Sequence, residues 1–471
     1  MKINEIWESV YVNDLQRKPS LINICSAQHS PMLRLNTLVR SSTRSFSSSV
    51  SLQAAPNTSK TKAIAKGFKG SATGKKSRKT AGSFRFFEDH VHYAKNREPG
   101  FELSNLETLN PTTLDLNKVV SYSEQQLQKL IQAGSFKKDQ FHELFKTPIT
   151  LIRDETSTMA QFVQDIATTP SSQNKICLIG ERGIGKSTLL TQAQALAISQ
   201  SNTIVIPISH ALKLVDGSND FFYDSKLQTY TQPMYLKKLL SKIEYINKEL
   251  LSQIQLSQDY VIEGVTKDKA ATKFNQKHTL SDLVQATNLA PRQRGRVFQI
   301  LIQELLNQDS HPVLVTVDNF SAITSHPITP YRNVENKQLY VEELQITKTL
   351  FQLTSNEVSF KKGGVILATS SDDKPSVTLK HGLGLIAADP YTKESDFNRT
   401  LASKITTVKP ITVGKLQKEC VGKLVEKYIE ANAFNKTELE NNNHQNLIDQ
   451  KYVLSGNGNP LELLKSITMY H

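Results

Sequence analysis

The sequence predicts an α/β fold with a parallel sheet, and three observations carry that prediction. The stretch Gly180-Glu181-Arg182-Gly183-Ile184-Gly185-Lys186-Ser187-Thr188 satisfies G-x-x-x-x-G-K-[ST], the phosphate-binding pattern of P-loop proteins. Lys175-Ile176-Cys177-Leu178-Ile179 before it reads as a buried strand, and Leu189, Ala193, Leu196 and Ala197 after it repeat at helical spacing. Further apolar runs at Thr203-Ile204-Val205-Ile206-Pro207, Val313-Leu314-Val315-Thr316-Val317-Asp318 and Gly364-Val365-Ile366-Leu367-Ala368 supply more strands, with amphipathic segments between them.

The spacing of the glycine-rich stretch has a physical reason. Glycines let the backbone turn so that successive N–H groups point at phosphate oxygens. The helix opening at Lys186 adds its positive N-terminal dipole. Lys186 is expected to reach the β- and γ-phosphates and the Ser187 hydroxyl to hold Mg²⁺. The second element is Asp318, since an apolar strand ending in Asp holds Mg²⁺ in P-loop folds. Asn319 follows, where ATP-driven machines carry a water-activating Glu; an amide cannot accept a proton at neutral pH. Fast turnover is therefore not expected, and no catalytic residue is assigned. Thr369-Ser370, after the last strand, are candidates for sensing a γ-phosphate or simply end that strand.

Composition limits the rest. At 38% hydrophobic residues the chain is lean, so part of it is expected to be unpacked. Net charge is +13, and no Asp or Glu occurs from Leu15 to Phe87. Within that block Met32-Leu33-Arg34-Leu35 and the Arg/Ser-rich residues to Val50 look like a mitochondrial targeting segment, assigned to 1–55, with Met32 as an alternative start. Residues 56–85 read as a disordered, extended basic arm able to neutralise RNA phosphates, or as a linker. Cys25, Cys177 and Cys420 have no metal or redox spacing, which points to a reducing compartment without disulfides. No apolar run reaches 18 residues, so no spanning helix is expected.

The remaining elements follow in order. Residues 86–165 are expected to be mostly helical, with order beginning near Phe84, and 166–400 to form the P-loop core. Ala211–Tyr223 reads as a loop, Pro233–Ile254 as a helix, Thr266–Lys277 as a surface loop and Arg296–Leu306 as a second amphipathic helix. Arg292, Arg294 and Arg296 are either RNA contacts or a solvated basic edge. The long separation of Lys186 from Asp318 leaves room for an insertion. Residues 401–471 read as a helical lid, helical from Lys415 to Phe434 and again after Ser455-Gly456-Asn457-Gly458-Asn459-Pro460; it resembles the AAA+ lid but lacks an arginine after Pro460. Asn435-Lys436-Thr437-Glu438 is a chance near-match to the guanine-reading N-K-x-D.

Taken together, Gly180–Thr188, Ile204–His210, Gln232-Pro233, Val315–Asn319, Lys362–Thr369 and Ser455–Leu464, in this order, resemble the death-associated-protein family of GTP-binding proteins of the mitochondrial small ribosomal subunit. The resemblance implies an AAA+-like P-loop NTPase core binding GTP or GDP, with ATP the alternative, as a structural part of the ribosome. By motif, Gly183, Gly185, Lys186, Ser187 and Thr188 would hold phosphates, and Asp318 would back Mg²⁺. The implied partners are small-subunit ribosomal RNA and neighbouring ribosomal proteins, in the mitochondrial matrix. A mitochondrial AAA+ motor and an apoptotic adaptor are the competing readings; the first needs a water-activating carboxylate that is not evident, and nothing in the residues supports the second.

Overall fold

The computed structural model describes residues 102–468, except 104–105, 112–113, 138–139, 141, 263–270, 287–289, 372–375, 388–390, 394–396 and 435. The expected targeting segment, the basic arm, the onset of order near Phe84, Cys25 and Asn435 lie outside the described residues.

Five strands form one sheet: β1 Lys175–Ile179, β2 Ile204–Ile208, β3 Val313–Val317, β4 Gly363–Ala368 and β5 Lys409–Thr412. Their spatial order is β5-β1-β4-β3-β2, and every neighbouring pair is parallel. The first four read as continuous apolar runs because a parallel sheet is buried on both faces. Alternation assigns the faces. Cys177, Ile204, Ile206, Ile208, Val313, Val315, Val317, Val365 and Leu367 enter one apolar cluster. Ile176, Leu178, Val205, Leu314, Ile366 and Ala368 enter the cluster on the opposite face.

Helices cover both faces. α1 Glu124–Ala133, α2 Asp154–Asp165 and α3 Lys186–Ser199 give the second cluster Leu130, Met159, Val163, Leu189, Ala193 and Leu196. α4 Pro233–Leu251, α5 Arg294–Asn307 and α6 Gln345–Ser355 give the first cluster Leu236, Ile243, Leu301 and Phe351. Local chemistry sets the ends. Ser123 and Gln126 form a reciprocal capping box at α1, and Pro233 opens α4, where a missing N–H costs nothing. α2 lies close on β4, because a side chain at Gly364 would meet Phe162 Cζ and Ile166 Cγ2, both at 2.7 Å. Three more helices, α7 Lys418–Glu430, α8 His444–Leu454 and α9 Pro460–Thr468, enclose a third cluster that also takes in Val119, Phe145 and Leu151.

Several expectations need correction. The stretch between Leu114 and Phe145 contains a strand, Val119–Ser121, paired antiparallel with Ile149–Leu151. The loop expected at Ala211–Tyr223 holds a helical turn, Leu212–Val215, and the start of a hairpin, Phe222–Asp224 with Thr229–Thr231. Thr272–Phe274, expected in a surface loop, pairs with Tyr260–Ile262. These short hairpins, with α4 and α5, make up the insertion expected between Lys186 and Asp318. Among the described residues no helix is long and apolar enough to cross a membrane, and Cys177 and Cys420 are free thiols.

A partly buried lysine ties α1 to the sheet. Lys242 Nζ donates to Ala133 O (2.7 Å) and Ser209 Oγ (2.9 Å). Burial first, then the charges of Lys213 and Lys238, bring its pKa down from 10.5 to about 8. The unfolded chain therefore binds the extra proton across that interval, and stability rises with pH there. Between pH 8 and 10 the slope from this group is at most about 1.4 kcal/mol per pH unit. Urea unfolding at both pH values is expected to show wild type gaining more than Lys242→Met; equal gains would contradict this assignment.

Candidate nucleotide site

The Gly180–Thr188 segment joins β1 to α3 at the carboxyl edge of the sheet, where open α/β sheets place their ligands. Gly183 (φ 77°) and Gly185 (φ 100°) hold left-handed conformations that suit glycine, and Gly185 is the N-cap of α3. Ile184 anchors the loop in the core at 3% exposure. Lys186 is buried in the first turn of α3, and its ammonium bridges the loop, donating to Gly180 O (2.8 Å) and Glu181 O (2.6 Å). It also lies 3.4 Å from Ser371 Oγ, which donates to Gly180 O at 3.1 Å. Ser187 and Thr188 complete the first turn, with Ser187 O accepting from Thr191 Oγ1 at 3.0 Å. Glu181 and Arg182 are exposed.

The C-terminal helices close over this loop. Leu461 N donates to Gly183 O (3.2 Å), Asn459 Nδ2 donates to Arg182 O (2.8 Å), and Lys415 pairs with Glu181 at 3.4 Å. A Cβ on Gly183 would lie 2.6 Å from Leu461 Cβ, so the loop can turn beneath α9 only with glycine there.

Asp318 lies at the end of β3, at the same edge of the sheet, and its carboxylate forms an ion pair with Lys137. Lys137 Nζ also lies 3.4 Å from Asn319 Oδ1, and Asn319 N donates to Asp318 Oδ1 at 2.9 Å. Asn319 takes a left-handed conformation (φ 60°), with its amide 3.3 Å from His210 Nδ1. Burial and the Lys137 and Lys213 charges lower the His210 pKa. Hard oxygen donors on Ser187 and Asp318 have the chemistry Mg²⁺ prefers. With its charge engaged by Lys137, however, Asp318 does not fit the metal unless the lysine turns away.

The other candidates sort simply. Thr369 Oγ1 donates to Leu178 O in β1 (3.1 Å) and Ser370 N to Ser321 Oγ (2.8 Å), whereas Ser371 meets Lys186. Arg292, which is exposed, lies over the Phe222 ring at 5.6 Å from its centroid, and Arg294 donates to Pro233 O at 3.4 Å.

A family model described as mitochondrial ribosomal death-associated protein 3 matches residues 150–466. The chain belongs to this family. The death-associated-protein region takes in the whole five-stranded sheet, the loop, Asp318 and the first turns of α9, whereas α1 and Lys137 precede it. The small ribosomal subunit protein mS29 of Schizosaccharomyces pombe (strain 972 / ATCC 24843) is 26% identical over 357 residues, covering 74% of this chain and 71% of its own length.

Sequence reasoning missed Lys137, Ser371 and a third residue, Arg153. Arg153 Nη1 lies 3.5 Å from Gly414 O and its Nε 3.4 Å from Glu155 Oε2. Nη2 is buried without a hydrogen-bond partner among the described residues, 3.5 Å from where a Cβ on Gly185 would stand.

Proposed function

We propose that the protein is a structural component of the small subunit of the mitochondrial ribosome, in the mitochondrial matrix, with a guanine nucleotide (GTP or GDP) retained in an AAA+-like P-loop core. Membership of the family supports the ribosomal part, as does the mS29 relative. The observation that carries the nucleotide part is the Lys186 ammonium laid across a loop of left-handed glycines at the start of a long helix. Such a loop offers inward N–H groups, a helix dipole and one fixed cation to a phosphate tail. Interposition of β4 between β1 and the Asp318 strand supports the AAA+-like arrangement. The basic arm at 56–85 would lie against ribosomal RNA and neutralise its phosphates.

Retention without a cycle follows from Asn319 and Lys137. The amide cannot take a proton from water, and the ammonium holds the Asp318 carboxylate. Bound nucleotide then stabilises the fold by mass action. The test is gradient sedimentation of tagged protein, with its bound nucleotide identified by mass. Cofractionation with small-subunit RNA and retained GTP or GDP is expected. Nucleotide-free protein sedimenting away from that RNA, or many turnovers per minute, would refute the reading.

The lysine gives a second measurable consequence. Wild-type protein is expected to keep its nucleotide in EDTA, because Lys137 supplies positive charge at Asp318. Lys137→Met is expected to make retention depend on Mg²⁺, with at least about tenfold faster release in chelator, as for loss of one charged contact. Equal release rates from both proteins would remove Lys137 from this role.

A further inference from the structure

We propose that Arg153 and Glu155 form the base-reading end of the nucleotide site and select guanine over adenine. The inference rests on the phosphate-loop reading above and deepens it.

The first observation is the orphan donor. Arg153 is 8% exposed, keeps its charge at any physiological pH, and carries a buried Nη2 without a hydrogen-bond partner among the described residues. A buried guanidinium with an unmet N–H is costly, so such a group marks the place of a missing acceptor. That place is beside Gly185, the N-cap of α3, whose Cβ position would lie 3.5 Å from Nη2. The tail of a nucleotide is accounted for by loop amides and Lys186. What extends past the loop is the nucleoside.

The second observation is the neighbouring carboxylate. Glu155 Oε1 accepts from Gly414 N (3.2 Å) and Oε2 lies beside Arg153 Nε, while about a fifth of the side chain (22%) stays exposed. Gly414 follows β5, so the pair is braced from the sheet end and from the first turn of α2 at once. A carboxylate at this position repels a phosphate, which argues for a neutral group that both accepts and donates. Guanine does so on adjacent atoms: O6 accepts, and N1–H and N2–H₂ donate. The guanidinium meets O6 and the carboxylate meets N1–H. Adenine reverses both, setting its N6–H₂ donors against the guanidinium and its N1 acceptor against the carboxylate. Sites built on such pairing discriminate by about a hundredfold or more, because the wrong partner leaves buried polar groups unmet.

The test titrates the full-length chain with fluorescent GDP and ADP and, by competition, with inorganic tripolyphosphate, which has a tail and no base. Wild type is expected to prefer GDP over ADP by at least about a hundredfold. Glu155→Gln keeps an acceptor for Gly414 N, so it preserves the fold; it is expected to weaken GDP at least about tenfold and leave tripolyphosphate unchanged. Arg153→Met is expected to do the same. GDP affinity within twofold of wild type in both variants overturns the proposal, as does tripolyphosphate weakening in parallel with GDP. Tripolyphosphate binding without preference between GDP and ADP overturns the base assignment alone. Failure of wild type to bind either GDP or tripolyphosphate overturns the phosphate-loop reading and this one with it.

Discussion

Lys186→Ala is expected to abolish nucleotide retention while the apo fold survives. The ammonium donates to the carbonyls of Gly180 and Glu181, inside the loop itself. Those carbonyls belong to one partly exposed and one exposed residue, so water can replace the lysine when it is removed. A phosphate tail has no such substitute. Charge-assisted hydrogen bonds contribute about 1.5–3 kcal/mol each, so losing two is expected to weaken binding by two to four orders of magnitude, roughly. Isothermal titration with GDP measures this directly, and the gradient experiment shows whether incorporation into the particle falls with it. Unchanged retention and unchanged cofractionation would together end the proposed function.

The second large effect concerns stability. Among the described residues β2 is an outer strand of the sheet, paired with β3 on one side only. An outer strand leaves backbone groups unmet, and burial makes them expensive. Here the side chain of Asn247 stands in for a neighbouring strand. Val205 N donates to Asn247 Oδ1 and Asn247 Nδ2 donates to Val205 O, both at 2.8 Å. The same Nδ2 reaches Ile243 O at 2.8 Å, and α4 departs from helical geometry at Asn247 (φ −112°, ψ 18°) to bring the amide to the strand. Asn247→Ala would strand the Val205 N–H and C=O beneath α4. At about 1–3 kcal/mol for each unsatisfied group, the loss is expected to be roughly 2–5 kcal/mol. Chemical denaturation of the isolated protein checks it; a midpoint indistinguishable from wild type would mean that water reaches this edge.

The sheet and its loop were largely legible in the sequence, and the reason is burial on both faces. Strands such as Val313–Val317 have no polar side to disguise them, and the glycine-lysine pattern after Ile179 is tied to one backbone shape. β5 was not legible. It is an outer strand, mostly exposed, with Pro410 in its second position, which is where sheets tolerate proline and where patterning is weakest. Three-residue strands such as Val119–Ser121 and Tyr260–Ile262 are too short to show alternation. The site residues divide the same way. Lys186 and Asp318 announce themselves through local context. Lys137 and Arg153 matter only because the fold carries them to partners far along the chain, Asp318 and Gly414. Arg153 left one faint trace, a cation between an apolar strand and the acidic start of a helix.

The closure of Asn459 and Leu461 over Arg182 and Gly183 has a consequence for biosynthesis. During translation the glycine turn emerges long before the residues that roof it. A nascent chain can thus have its sheet and its lysine in place while the cover is still inside the peptide tunnel. On the proposed function, tight capture of a nucleotide would be a mark of a finished polypeptide, and chains broken off early would lack it.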